Sequence, residues 1–200
     1  ADVGGDMKKL DASEFPVLNM LNTRYFIFPL QGGQTAPLPN PFALGNAWFV
    51  DEVQYVSNAN EETEAIHGLN PQQTAVVDKK FESIVKSIPS DAMDTIELVA
   101  YEPNYLKYEI DSEKGGTVVF SEIYYPGWQS TIDGQEAAHG RANYILRAMN
   151  VPAGKHVVEF RFDPKSLHTT ETIAFIALGL LALLAVVVIV MKIKACRKVG

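Results

Sequence analysis

Helical and alternating patterns divide the first 170 residues, and one unbroken apolar run follows them. Phe15, Leu18 and Leu21 recur at helical spacing and predict a short helix around Pro16–Leu21, with Pro16 in its first turn. Tyr25–Leu30 is a compact apolar run of strand composition. Gln31–Pro41 holds two glycines and three prolines and reads as loop. Ala47–Val56 reads as one strand, with Phe49, Val53 and Tyr55 suggesting alternation. Asn60–Leu69 reads as a helix capped by Asn60, with Glu61, Glu62 and Glu64 at its positive end and Asn70-Pro71 closing it. From about Thr74 the chain turns all-β. Strands are predicted at Thr95–Tyr101, Tyr105–Ser112, Thr117–Tyr124, Trp128–Ile132, Tyr144–Met149 and Lys155–Phe162. The Glu113-Lys114-Gly115-Gly116 turn is expected to join the second of these to the third as its partner. Asp133-Gly134 signals a tight hairpin, and Pro152-Ala153-Gly154 turns the chain into the last strand.

The apolar run is Ile173–Met191, nineteen residues with no charge and no proline. As a helix it is roughly 28 Å long, close to the hydrocarbon thickness of a bilayer. No polar face is left for the surface of a soluble protein. Lys192, Lys194, Arg197 and Lys198 follow it without an acid, so the positive-inside rule places the C-terminal tail in the cytoplasm. Residues 1–171 then lie on the periplasmic or extracellular side of a bacterial cytoplasmic (inner) membrane. Removing the four tail cations from the 17 basic residues leaves 13 against 24 acids, an outer charge of −11. An acidic domain of this kind is no nucleic-acid binder. The first residue is Ala1 and no signal peptide follows, so an upstream, membrane-entering N-terminal half is expected. The polar residues 1–14 read as a linker.

The expected fold is mainly β: an antiparallel sandwich or jelly roll with a small α/β preface, then one transmembrane helix. The expected segments are 1–70 for the preface and linker, 71–168 for the sandwich, 172–192 for the span and 193–200 for the cytoplasmic tail.

Candidate chemistry is sparse. Cys196 is the only cysteine, which excludes an internal disulfide and a Cys-based zinc site. His67, His139, His156 and His168 form no metal-binding spacing. There is no nucleophile elbow, phosphate loop or dinucleotide fingerprint, so no catalytic, cofactor-binding or metal residue is assigned. Asp51 and Glu52, adjacent in a strand, point to opposite faces. Glu61, Glu62 and Glu64 read as a solvated helix start. Arg141, Asn143 and Arg147 lie on or beside a strand. They either meet an anionic group or stand on the surface. The richest segment is Ser121–Trp128, SEIYYPGW. Aromatic rings stack on the C–H faces of sugars, so Tyr124, Tyr125 and Trp128, beside Glu122, are the candidate glycan contacts. The competing reading puts Trp128 and one tyrosine in the core, with Pro126-Gly127 as a turn.

Four strings carry a family resemblance: SEIYYPGWQSTIDG from Ser121, RANYILRAMNVPAGKHVVEFRFDPKS from Arg141, LNTRYFIFP from Leu21 and NPFALGNAWFV from Asn40. Together with the single hydrophobic helix they resemble the C-terminal end of the YfhO-like bacterial membrane proteins, in wording closest to Bacteroidetes-type members. The resemblance implies a polytopic protein like the GT-C glycosyltransferases, which take a polyprenyl-phosphate sugar outside the membrane and glycosylate cell-envelope polymers. It places the catalytic acid in an early outer loop of the N-terminal half, so none is carried onto this chain. The expected partners are membrane lipid, that N-terminal transmembrane half, and a cell-envelope glycan or polyprenyl-phosphate sugar. No cofactor and no nucleic acid are expected. Two other functions stay open: a carbohydrate-binding module on a membrane stalk, and a partner-binding domain of an envelope complex.

Overall fold

The computed structural model describes residues 14–29 and 33–199. The linker expected over 1–14 lies, but for Glu14, outside the described residues. The chain divides into two units, Ala1–Phe162 and Asp163–Gly200.

The first unit is mainly β, as expected. It begins with α1 (Pro16–Met20) and a two-stranded hairpin, β1 (Tyr25–Pro29) with β2 (Thr35–Pro39). β2 falls in the stretch expected to be loop. Its prolines, Pro37 and Pro39, lie opposite Ile27 and Tyr25. Alternate residues of an edge strand turn their N–H away from the partner, so prolines two apart remove no ladder bond.

Ala47–Val56 forms two strands, not one. β3 (Ala47–Val50) and β4 (Glu52–Val56) are separated by a bend at Asp51. Asp51 Oδ1 accepts from both the N–H and the hydroxyl of Ser90. α2 (Ala59–Ile66) then leads to β5 (Thr74–Asp78), which pairs with β4 in parallel, an exception to the antiparallel expectation. A helix is the usual crossover between parallel neighbours. The α2 cap is Asn58, not Asn60. Asn58 Oδ1 accepts from Asn60 N and Glu61 N, and Glu61 reaches back to Ser57 N. The Glu61 contact falls on the residue before the cap, and the helix starts two residues earlier than composition suggested.

The remaining strands are β6 (Thr95–Glu102), β7 (Tyr105–Ser112), β8 (Gly116–Ile123), β9 (Trp128–Ile132), β10 (Gln135–Glu136), β11 (Gly140–Ala142), β12 (Leu146–Val151) and β13 (Gly154–Phe162). They form a five-stranded sheet in the order β10-β9-β13-β7-β6. A six-stranded sheet has the order β3-β8-β12-β11-β5-β4. The early strands β3 and β4 therefore share a sheet with strands from beyond residue 70.

One expected pairing fails. β7 and β8 are joined by the Gly115 turn but lie in different sheets, so they are not hairpin partners. β12 and β13 also change sheet across their turn. The Asp133-Gly134 turn does make a hairpin, with Ile132 opposite Gln135 and both turn residues at positive φ, 51° and 78°. That is the type I′ geometry, which suits Asp-Gly.

Between the sheets lies a core of Leu106, Tyr108, Ile110, Val118, Phe120, Met149, Val151, Val158 and Phe160. Phe120 packs edge-on against Tyr108 and Phe160, both at 4.9 Å. A second core covers the other face of the six-stranded sheet, where Val53, Val76, Val119, Leu146 and Ala148 meet Ile66 of α2. Two covered faces explain why Ala75-Val76-Val77 is continuously apolar while β7 alternates.

The second unit is α3 (Lys165–Val199). Within its stretch Ser166–Lys194 an 18-residue window has a mean hydropathy of 3.3, and the helix is long and apolar enough to cross a membrane. At its start Asp163 accepts from His168 Nε2 at 2.5 Å.

Candidate functional site

The 124–128 corner follows the end of β8, and β9 leaves it. Tyr124, Tyr125 and Trp128 line one open cleft of about 250 Å³, together with Ser130, Glu136 and His139. Glu122 is not among its lining residues. It belongs to the inward-facing row of β8 with Val118 and Phe120, and is half-buried.

The three aromatics differ in exposure. Tyr125 is 61% exposed and tilts against Phe162. Tyr124 packs edge-on between Phe81 and the His139 ring. Trp128 is half-buried, packs on the inter-sheet core and contacts Phe162. One face of its indole is already occupied, because the Arg147 guanidinium lies 3.9 Å from the ring centroid. Trp128 thus joins both competing readings: it lines the cleft and it roofs the core.

Arg147 is no surface residue. It is 1% exposed, lies between the Trp128 and Phe160 rings, and donates from Nε to the Ile123 carbonyl. Its Nη1 and the Tyr108 hydroxyl have no hydrogen-bond partner among the described residues. Burial lowers the Arg147 pKa to about 10, with Glu122 and Tyr108 holding it up, so it stays charged at neutral pH. Burial raises the Glu122 carboxyl above its ordinary range, against the pull of Arg147. Arg147 falls on the same face of β12 as Met149 and Val151, which belong to the inter-sheet core, so strand alternation turns it inward.

Glu62 also departs from expectation. It is fully buried, not a solvated helix start. Its Oε2 accepts from Arg141 Nη2 at 2.7 Å, and its Oε1 accepts from Tyr144 N at 2.8 Å. Arg141 is therefore paired. Asn143, buried at φ 48°, exchanges two hydrogen bonds with Val76: its side-chain oxygen accepts and its own N–H donates. These residues tie the β11–β12 turn to α2 and β5.

Two histidines have opposed environments. Burial first, then the Arg147 charge, lowers the His139 pKa to about 4. His156 is raised, chiefly by its hydrogen bond to Asp133 at 2.6 Å and then by the Ala153 carbonyl at 3.0 Å. A base held neutral by folding loses its stabilisation as pH falls through its unfolded pKa, about 6.5, towards its folded one. A base with a raised pKa contributes fully below about 6.5 and loses that contribution as pH rises through its folded pKa. The two histidines together place maximal stability near pH 6.5. The acid limb from His139 is worth on the order of 3 kcal/mol by pH 4. Unfolding transitions from pH 4 to 9 check this. His156→Asn should flatten the alkaline limb and His139→Phe the acid limb.

A mainly β unit with an aromatic cleft and a helix long and apolar enough to cross a membrane together define a membrane-protein class. The family model described as bacterial membrane protein YfhO matches residues 66–192. That is most of the chain, and the chain belongs to this family of bacterial membrane proteins. No curated protein and no solved structure matches it.

Proposed function

We propose that this chain is the extracytoplasmic, non-catalytic domain and last membrane span of a lipid-linked-sugar glycosyltransferase that acts on cell-envelope polymers. In this reading the domain segments are those drawn from the sequence, with the span at 172–192 and the tail at 193–200 in the cytoplasm. The β domain holds the acceptor glycan, and the catalytic residues belong to the N-terminal half of the parent protein. The observation that carries the binding role is the convergence of Tyr124, Tyr125 and Trp128 on one cleft. Such a cleft offers ring faces and polar tips together, which is what a pyranose requires. Glu122 takes an indirect part by holding the charge balance around Arg147 beneath Trp128.

The choice of variant follows from the packing. Trp128→Ala would uncover the buried Arg147 and disturb the fold. Tyr125→Ala removes a ring that is mostly exposed, so the fold should be kept. On a glycan array probed with the full chain in nanodiscs, selective binding is expected, reduced about tenfold or more in Tyr125→Ala. Equal binding by Tyr125→Ala, or none by either protein, would contradict the assignment. Transfer of sugar from a polyprenyl phosphate by this chain alone would contradict its non-catalytic role.

A further inference from the structure

The cleft contains one polar group whose hydrogen-bonding role is fixed by its neighbours. His139 directly precedes β11, and its Nδ1 lies 2.7 Å from the Ser130 hydroxyl. Ser130 is 3% exposed, and its Oγ lies 2.5 Å from the Ala137 carbonyl. A carbonyl oxygen only accepts, so the serine proton points to Ala137. Ser130 Oγ must then accept from His139, which puts the imidazole proton on Nδ1. Nε2 is left as a bare lone pair.

The same bonds exclude a nucleophilic role for Ser130. Its hydroxyl is buried, its proton is committed to a carbonyl, and His139 donates to it and cannot act as its base. The ring itself is held still. It packs edge-on against Tyr124 at 5.7 Å and Phe160 at 5.4 Å. Burial and the nearby Arg147 charge keep it neutral at physiological pH. His139 thus presents a neutral, oriented acceptor to the cleft that Tyr124, Tyr125 and Trp128 line. Glu136 also lines this cleft, and its carboxylate opposes an anionic ligand.

We propose that His139 Nε2 accepts a hydrogen bond from one ring hydroxyl of an uncharged sugar held against Tyr125 and Trp128, and so determines which sugar the cleft takes. This rests on the glycan-binding reading above and adds to it a specificity residue and a ligand class. A site built to pair a hydroxyl rejects the analogue that lacks it, because its own acceptor is then left dry and unpaired.

The test uses the full chain in nanodiscs. The probes are methyl glycopyranosides of glucose, galactose, mannose and N-acetylglucosamine, with the monodeoxy counterparts of whichever binds. Affinity is read by ligand-observed NMR titration. In the native protein, loss of one particular hydroxyl is expected to weaken binding about tenfold. His139→Phe keeps the ring packing and removes the acceptor. It should bind the parent sugar about tenfold more weakly and no longer distinguish it from that deoxy analogue. The native-protein comparison stands even if the variant folds poorly. Binding by His139→Phe with native affinity and an unchanged deoxy profile would overturn the specificity role and leave the glycan reading intact. Failure of the native protein to bind any of these sugars would overturn both. With the matching methyl uronoside added to the probes, tighter binding of the uronate than of its neutral parent would overturn the uncharged ligand class alone.

Discussion

Glu62→Ala is expected to destabilise the β domain by about 3–5 kcal/mol, the largest effect of any single side-chain deletion outside the aromatic core. The carboxylate is fully buried and both of its oxygens are used. Removing it strips Arg141 of its closest counter-charge, since the next acid, Asp78, is 4.0 Å away. It also frees the Tyr144 N–H at a residue held at φ 73°. A non-glycine residue keeps such a conformation only while its surroundings enforce it. For a domain of this size the loss corresponds to a fall in Tm of about 10 °C or more, read by near-ultraviolet circular dichroism. Arg141→Met in the Glu62→Leu background should recover much of it, because an apolar pair replaces a buried ion pair at little cost. A Tm within about 2 °C of native for Glu62→Ala would show that the pair does not hold the turn.

Gly115→Ala should destabilise by about 3 kcal/mol, through two separable terms. Gly115 has φ 77°, where a side chain is strained. An added Cβ would also stand 2.6 Å from the Val151 carbonyl oxygen and 3.0 Å from the Pro152 carbonyl carbon. Those atoms are backbone of the β12–β13 turn, so neither can rotate away. The two turns that carry the chain from one sheet to the other pack directly on each other here. Gly134 provides the control. Its φ is 78°, but an added Cβ there meets nothing within 4 Å. Gly134→Ala should therefore cost only about 1 kcal/mol. Equal losses at the two positions would mean that the close approach of the turns contributes nothing.

How much of this was legible in the sequence depends on what covers each strand. β6 and β7 belong to the sheet with one solvated face, and their alternation placed them to within a residue. β5, β8 and β12 are covered on both faces, so their apolar runs marked strands without showing which side chain faces which core. β2 was hidden by prolines that a two-stranded edge tolerates. The sheet change after Gly115 was misread as a hairpin because local turn chemistry does not report which sheet receives the next strand.

The site shows the same division. Tyr124, Tyr125 and Trp128 line one cleft because aromatics one to four residues apart around Pro126-Gly127 must stay close in space. His139 was passed over because its partner Ser130 lies across the β9–β10 hairpin and no spacing rule joins them. The burial of Glu62 had no local signal either. Its partner Arg141 is 79 residues away, and three glutamates within four residues of a helix start look solvated until the turn that covers one of them is known.

An acceptor-binding role requires the β domain to face away from the cytoplasm, and the tail supplies a native probe of this. Cys196 is the only cysteine in the chain. A second protein would carry Tyr125→Cys with Cys196→Ser, which moves the single thiol to the exposed rim of the cleft. Both would be treated with a membrane-impermeant maleimide in intact bacteria whose outer barrier is open, then again after lysis. The account predicts that the cysteine at position 125 reacts in intact cells, whereas Cys196 reacts only after lysis. The reverse pattern would place the cleft in the cytoplasm and contradict the proposed function at its root.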